Sequence, residues 1–357
     1  MKKNLLATSA LIAAGALVSQ GALAEAKPIQ IKVGGYHEQW VGFASNDGGS
    51  SSGVSGVDVQ EDSEIHFGGS TTLDNGLTFG VNVQLEGNVQ GDQIDETYLF
   101  VRGSFGEIML GDENGAAYAM HYGFATNGPG LNTGDHQNWV IGNSFSLAST
   151  YAFARGDNDS AKIRWISPRM SGFQVGLSYA PEATQDDDGF PSEATNHPGT
   201  AEHVVAISAN YDGKFDDVRI RVSAGYQDFL DVNSNSNVDP WVGAVGIRVG
   251  FGGFQIHGSA SRQHDVSGSV KNRDVFGGSL LYNDGPMGVS IAAVIGRDDG
   301  VTSSSDDEQF GLELGAKYKL GPGVEARGAI YYGARDDASA AEDTSGFAVV
   351  GGIKLNF

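Results

Sequence analysis

The chain has 357 residues, with 44 acidic side chains against 22 basic ones, 53 glycines, 9 prolines and no cysteine. The acidic excess excludes binding to nucleic acid or to an anionic surface through bulk charge. The missing cysteine excludes disulfides, thiolate nucleophiles and thiolate metal sites.

At the N-terminus, Lys2 and Lys3 precede an uncharged stretch from Leu5 to Leu23, and Ala22-Leu23-Ala24 has the small-x-small pattern cut by signal peptidase. Residues 1–24 are expected to be a signal peptide and 25–357 an exported domain. Gly15, Ser19, Gln20 and Gly21 weaken the rival reading, a membrane helix. Past this segment no apolar run approaches the length of such a helix. A chain of this kind crosses a membrane only as a closed barrel, because in lipid every backbone N–H and C=O needs a partner.

From Pro28 onward one cycle repeats: an alternating strand, a tight turn, a second alternating strand and a longer polar connection. The first strand spans about 29–44. Turns follow at Asp74-Asn75-Gly76, Ser104-Phe105-Gly106, 169–172, 212–217, Gly252-Gly253, 284–287 and Gly321-Pro322-Gly323. Their Gly, Asn, Asp and Pro content is what hairpins demand. Seven turns join fourteen strands, and the first strand and the last (about 346–357) make sixteen. The longer connections fall at 45–59, 91–94, 113–159, 182–200, 230–239, 265–272, 298–306 and 336–345.

Alternation is clearest where Val218, Ile220 and Val222 are set against Arg219, Arg221 and Ser223, and where Phe347, Val349 and Ile353 are set against Ala348, Val350 and Lys354. Aromatic residues gather at strand ends. Trp40, Phe43, Tyr226, Phe229, Trp241, Tyr331, Tyr332 and Phe347 lie near loop ends, and Phe215, Phe251, Phe254, Tyr282, Tyr318 and Phe357 near turn ends. Two girdles at membrane–water boundaries are the expected reading. The fold class is therefore all-β, a sixteen-stranded antiparallel transmembrane barrel with short periplasmic turns and long extracellular loops. A soluble sandwich or propeller competes, but Gly243, Ala244, Gly258, Ala260 and Gly328 would pack its core poorly.

The signal segment, the alternating start from Ile29 to Val41, the segment Gly106-Glu107-Ile108-Met109-Leu110-Gly111-Asp112 before the longest loop and the terminal Phe357 together resemble bacterial general porins, particularly those of α-proteobacteria. The resemblance spans the whole expected mature chain. It implies a homotrimer of barrels in the outer membrane, each with its own water-filled pore for small hydrophilic solutes and ions. It also implies a terminal Phe read by the assembly machinery, and a third loop folded into the lumen with acids facing a basic cluster. Carried onto this chain, the constriction would use Asp112, Glu113 and Asp135, with Asp157 and Asp159 near the loop exit. Lys32, His66, Arg102, Lys162 and Arg164 would line the wall. Several general porins carry arginine where this chain has Asp112, which tilts the expected pore toward cations.

A passive pore needs no cofactor and does no covalent chemistry. Histidines and serines are present, but none lies in a nucleophile setting such as Gly-x-Ser-x-Gly. A substrate-specific channel, such as a sugar porin, is the alternative. Asp231, Asn233, Asn235 and Asp239 place oxygen ligands at alternate positions, as calcium loops do, although Ser236 and Val242 replace the usual glycine and glutamate. Calcium binding and a plain hydrophilic loop both remain open there. Divalent ions bridging acidic loops to lipopolysaccharide are a further expectation.

Overall fold

A computed structural model describes residues 28–48, 55–87, 93–131, 135–140, 160–183, 201–232, 239–265, 270–301, 306–337 and 343–357. The expected signal peptide lies outside them. The first strands are β1 (Lys32–Asp47), β2 (Gly56–Thr72), β3 (Thr78–Glu86), β4 (Ile94–Gly103) and β5 (Gly106–Asp112). Past the third loop come β6 (Ala161–Ile166), β7 (Phe173–Glu182), β8 (Ala201–Phe215), β9 (Val218–Val232) and β10 (Trp241–Phe251). The chain finishes with β11 (Phe254–His264), β12 (Val270–Asp284), β13 (Met287–Gly300), β14 (Asp307–Gly321), β15 (Val324–Asp337) and β16 (Thr344–Asn356). Each strand pairs with its chain neighbours, and β1 pairs with β16, closing the barrel. Closure leaves no unpaired edge, which is the condition for crossing lipid with strands.

The seven expected turns all lie between paired strands. The turn expected over 212–217 is tighter, because β8 runs to Phe215 and β9 resumes at Val218. Gly252 at φ +55° sits in a two-residue hairpin, and Gly76 at φ +83° closes the longer turn from Leu73; both occupy the left-handed region that such turns require.

Alternation divides the side chains as the pattern demands. Val41, Ile207, Val245, Ile247, Ile256, Ile291, Ile330 and Val349 are exposed on the outer face, while the residues between them point into the barrel. An exposed apolar band of this extent is the surface that meets hydrocarbon. At the turn end Phe254 packs against Tyr282 at 4.7 Å, and Phe173 against Tyr211 at 4.7 Å. At the loop end Tyr226 packs against Trp241 at 5.8 Å, and Phe43 against Phe347 at 6.2 Å.

Three residues assigned to the loop-end girdle belong elsewhere. Trp40, Phe229 and Tyr331 are 6%, 8% and 1% exposed and face inward, where they pack under the third loop. Ala244 is likewise inward and buried rather than part of the outer face.

Candidate functional site

The third loop leaves β5, enters the barrel and follows the inner wall. Its first segment is pinned by β6. The Lys162 ammonium donates to the carbonyls of Glu113 and Ser160, and Arg164 Nη1 donates to Asn114 O at 2.7 Å. A single helical turn, α1 (Ala116–Ala119), follows. From there each successive strand holds the loop backbone with one inward side chain. Ser178 on β7 accepts from Ala116 N at 2.9 Å, and Asn210 on β8 donates to Met120 O at 3.1 Å. Ser223 on β9 accepts from Tyr122 N at 2.7 Å, and Arg248 on β10 donates to Gly123 O at 2.6 Å.

The ladder continues with His257 on β11, whose Nδ1 accepts from Ala125 N at 3.2 Å, and Ser279 on β12, which donates to Ala125 O at 2.7 Å. Ser290 on β13 accepts from Asn127 N at 2.9 Å. Glu313 on β14 accepts from Gly128 N at 3.2 Å and Leu131 N at 2.7 Å. The accepting Nδ1 fixes His257 as the tautomer with its proton on Nε2, which lies 3.3 Å from Gln255 Oε1. Past the 3₁₀ turn Asp135–Asn138, Gln60 of β2 donates to Asn138 O at 3.0 Å and Asn46 of β1 to Trp139 O at 3.2 Å. Backbone that leaves a sheet and enters a protein interior needs partners for its polar groups, and the wall supplies them strand by strand.

Apolar contacts reinforce the ladder in three places. Ala117 sits among Ala180, Val204, Ala206, Phe229, Val242 and Ala244. Phe124 and Leu131 pack against Val275, Ala292 and Val294. Trp139 and Val140 fill a seat made by Trp40, Ala44, Ala329, Tyr331, Ala348 and Val350. Wall glycines allow the approach: a Cβ at Gly246 would overlap the Tyr122 carbonyl, and one at Gly42 would meet the Trp139 ring. The loop is thus a built part of the barrel interior.

The residues expected at a constriction fall into distinct places. Glu113 lies at the loop entry, 3.9 Å from Arg164, and its Oε1 accepts from Asn114 N at 2.8 Å. Lys162 and Arg164 face inward as expected, but they are buried at 3% and 8% exposure and committed to loop carbonyls. Arg102 on β4 donates to Glu107 at 2.6 Å, with its guanidinium 4.0 Å above the Phe100 ring. His66 on β2 lies 2.7 Å from Glu64, whose other oxygen accepts from the Tyr36 hydroxyl at 2.7 Å. Lys32 lies at the start of β1 on the inward parity.

Asp112, the last residue of β5, shares the backbone parity of Ile108 and Leu110 and pairs with Thr97 and Ala161, but one of its carboxylate oxygens is buried at the loop root. Asp135 begins the 3₁₀ turn, and its side chain lies outside the described residues. Asp157, Asp159, Asn233, Asn235 and the side chain of Asp231 also lie outside them. The Asp239 amide donates to Asp265 Oδ2 at 2.8 Å. Among the described residues no group of three or more His, Asp or Glu is arranged to hold a metal ion.

Open space remains beside the loop. A cavity of about 730 Å³ lies along the inner faces of β1 to β4, where Lys32, Asn82, Tyr98 and Phe100 line it. A second, of about 530 Å³, lies between Arg102, Glu107, Tyr122 and Arg169. Both are open to water and carry charged or polar groups among apolar ones, as a lumen for hydrated solutes does.

The Gram-negative porin family profile matches residues 7–338. No curated protein sequence matches the chain significantly. Among solved structures, the chain is similar to the anion-selective porin from Comamonas acidovorans, at 15% identity and a TM-score of 0.65, covering 92% of this chain and 100% of that one. OmpT of Vibrio cholerae, expressed in the outer membrane, aligns at 12% identity and a TM-score of 0.61, covering 94% and 100%. A porin refined at 1.8 Å aligns at 17% identity and a TM-score of 0.58, covering 92% and 100%. With its sixteen-stranded closed barrel and lumen-lining loop, the chain belongs to the Gram-negative porin family and is an outer-membrane β-barrel channel.

Proposed function

We propose that the channel passes small hydrophilic solutes and ions by passive diffusion, with a weak preference for cations and no covalent chemistry. The observation that carries this reading is a loop bonded strand by strand to the inner wall, which narrows a polar lumen without filling it. Water replaces hydrocarbon along the path, so size and charge rather than chemical identity set the selectivity. The excess of 44 acids over 22 bases supports cation preference at low salt, where screening is weak. Anion selectivity is a property named for the Comamonas relative and is not carried over. Glu113 and Asp135 on the loop and His66 on the wall are the groups we assign to the narrow region, Lys32 and Arg102 line the lumen toward the turn end, and Lys162 and Arg164 anchor the loop.

A homotrimer is part of the proposal. His37, Gln39, Glu61 and Ser63 share the outward parity of β1 and β2, where side chains otherwise meet hydrocarbon. A second protomer covering that face would remove the cost of placing them against lipid. A trimer form is named among the solved relatives. Export after removal of residues 1–24, and calcium or lipopolysaccharide contacts through the acidic loops, complete the reading; chelation that leaves thermal stability unchanged would remove the calcium element.

Liposome swelling with sugars of graded size and reversal potentials in a potassium chloride gradient test the function. Uptake falling smoothly with size and a modest cation preference are expected. Selection of one sugar among equals in size would favour a substrate-specific channel, and anion preference would overturn the selectivity.

A further inference from the structure

The lumen charges are sorted along the pore axis. On the turn side the inward positions carry Lys32 at the start of β1, Arg219 and Arg221 at the start of β9, Arg248 near the end of β10, Lys317 near the end of β14 and Arg327 near the start of β15. The inward carboxylates at that level are each shared with arginines. Asp212 accepts from Arg219 and Arg221 at 2.6 and 3.2 Å, Glu107 from Arg102 at 2.6 Å, and Glu325 lies 2.5 Å from Arg327. Lys214 and Lys319 add further positive charge there, while Lys354 is paired with Glu38 in the row of Asp62 and adds none. The turn side therefore carries a positive excess.

On the loop side the order reverses. Asp58 on β2, Glu86 on β3, Glu96 on β4, Glu182 on β7, Asp298 on β13 and Asp307 on β14 occupy inward positions in the upper part of the barrel, while Asp62 and Glu64 lie near mid-height. Arg273 cancels Asp298 at 2.7 Å and Arg335 cancels Asp307 at 2.6 Å, and Lys162 and Arg164 are outnumbered by Glu113 and the remaining acids, so this end carries a negative excess. Between the two zones runs the third loop, held by the inward residues of β7 to β14.

We infer that the pore is a bipolar junction that rectifies ionic current. This rests on the channel reading above. A negative zone concentrates cations and a positive zone concentrates anions wherever the screening length is comparable to the pore radius, about 10 Å at roughly 0.1 M salt and about 3 Å at roughly 1 M. When the loop side is positive, cations enter through the acidic zone and anions through the basic zone, and both accumulate at the junction. With the opposite polarity both are drawn away and the junction is depleted. Current is larger with the loop side positive, and the asymmetry is lost in concentrated salt.

Single-channel currents at equal and opposite voltages test this. The chain has no cysteine, so Asp217→Cys in the turn after β8 provides a unique, fully exposed thiol. A thiol-reactive polymer too wide for the pore, added to one chamber, reports which side carries the turns. In potassium chloride at about 0.1 M we expect roughly twofold more current with the loop side positive, and a ratio near one at about 1 M. The triple variant Lys32→Glu, Lys317→Glu and Lys319→Glu is expected to abolish the asymmetry and raise cation preference. The salt series on the otherwise native chain stands even if that variant does not fold. Symmetric currents at low salt, or more current with the loop side negative, would overturn the inference while leaving the channel intact. Absence of any conductance would overturn the channel reading as well.

Discussion

Glu313 offers the sharpest single perturbation of the lumen. Its carboxylate is fully buried on β14 and receives two loop N–H groups, from Gly128 at 3.2 Å and Leu131 at 2.7 Å. A hydrogen bond to a charged group contributes about 1.5–3 kcal/mol. Glu313→Ala therefore removes about 3–6 kcal/mol of loop docking and leaves two N–H groups facing a small void. Part of this is offset, because a buried carboxylate no longer has to be desolvated. We expect a net loss of about 2–4 kcal/mol at the loop tip. Glu313→Gln keeps one acceptor oxygen and loses about half as much. The barrel itself should persist, since the strand pairing does not involve this side chain. Single-channel recording would then show noisier openings with altered conductance, and limited proteolysis would cut between Phe124 and Leu131 in the alanine variant first. If Glu313→Ala had native conductance, native noise and native protease resistance, the idea that the wall holds the loop in place would be wrong.

Other substitutions probe different links. Trp139→Ala empties the seat formed by Trp40, Ala329 and Tyr331 and should cost about 3–5 kcal/mol of local packing, read as increased protease access near 139 and as channel noise. Ile247→Arg puts a charge on the exposed outer face of β10 and should lower barrel stability by about 2–4 kcal/mol in a refolding titration, whereas a polar change at the inward Gln255 should not. His121 belongs to the loop rather than to a spanning strand; burial, then the neighbouring Arg248, pushes its imidazole down to about 4. The docked loop holds it neutral while a released loop takes up a proton near pH 6.5, so docking is fully stable above that value. It weakens as pH falls toward 4, by up to about 3 kcal/mol. Acid-induced channel noise over that window should be reduced in His121→Gln, and noise unchanged by the substitution would refute the assignment.

The barrel was legible because its two determinants are local. Turn residues such as Asp74-Asn75-Gly76 and Gly321-Pro322-Gly323 mark reversals, and a period of two assigns each strand a lipid face. The last strand shows this directly: Phe347, Val349 and Ile353 are exposed outside while Ala348 and Val350 are buried inside. The loop path was not legible from the residues, and its inward course rested on family resemblance. Its seats make stretches of wall apolar on both faces, as at Trp241 to Val245, so alternation fades there and Ala244 reads as outer surface. For the same reason Trp40, Phe229 and Tyr331 looked like girdle aromatics.

The ladder is hard to read from sequence because most of its members are ordinary inward serines and an asparagine, joined by Arg248, His257 and Glu313. Their only common feature is a similar distance from the turn in successive strands, visible at Ser178, Asn210, Ser223 and Ser290. Lys162 and Arg164 were placed on the correct face, but parity alone does not distinguish a charge bordering open water from one bonded to loop carbonyls.

The central claim is that the inside of this cylinder conducts ions through water. Purified protein added to a planar lipid bilayer tests it most directly. The account predicts discrete conductance steps that grow with the bulk conductivity of the electrolyte. Protein that is folded and inserted, yet leaves the membrane electrically silent across salts and voltages, would contradict it.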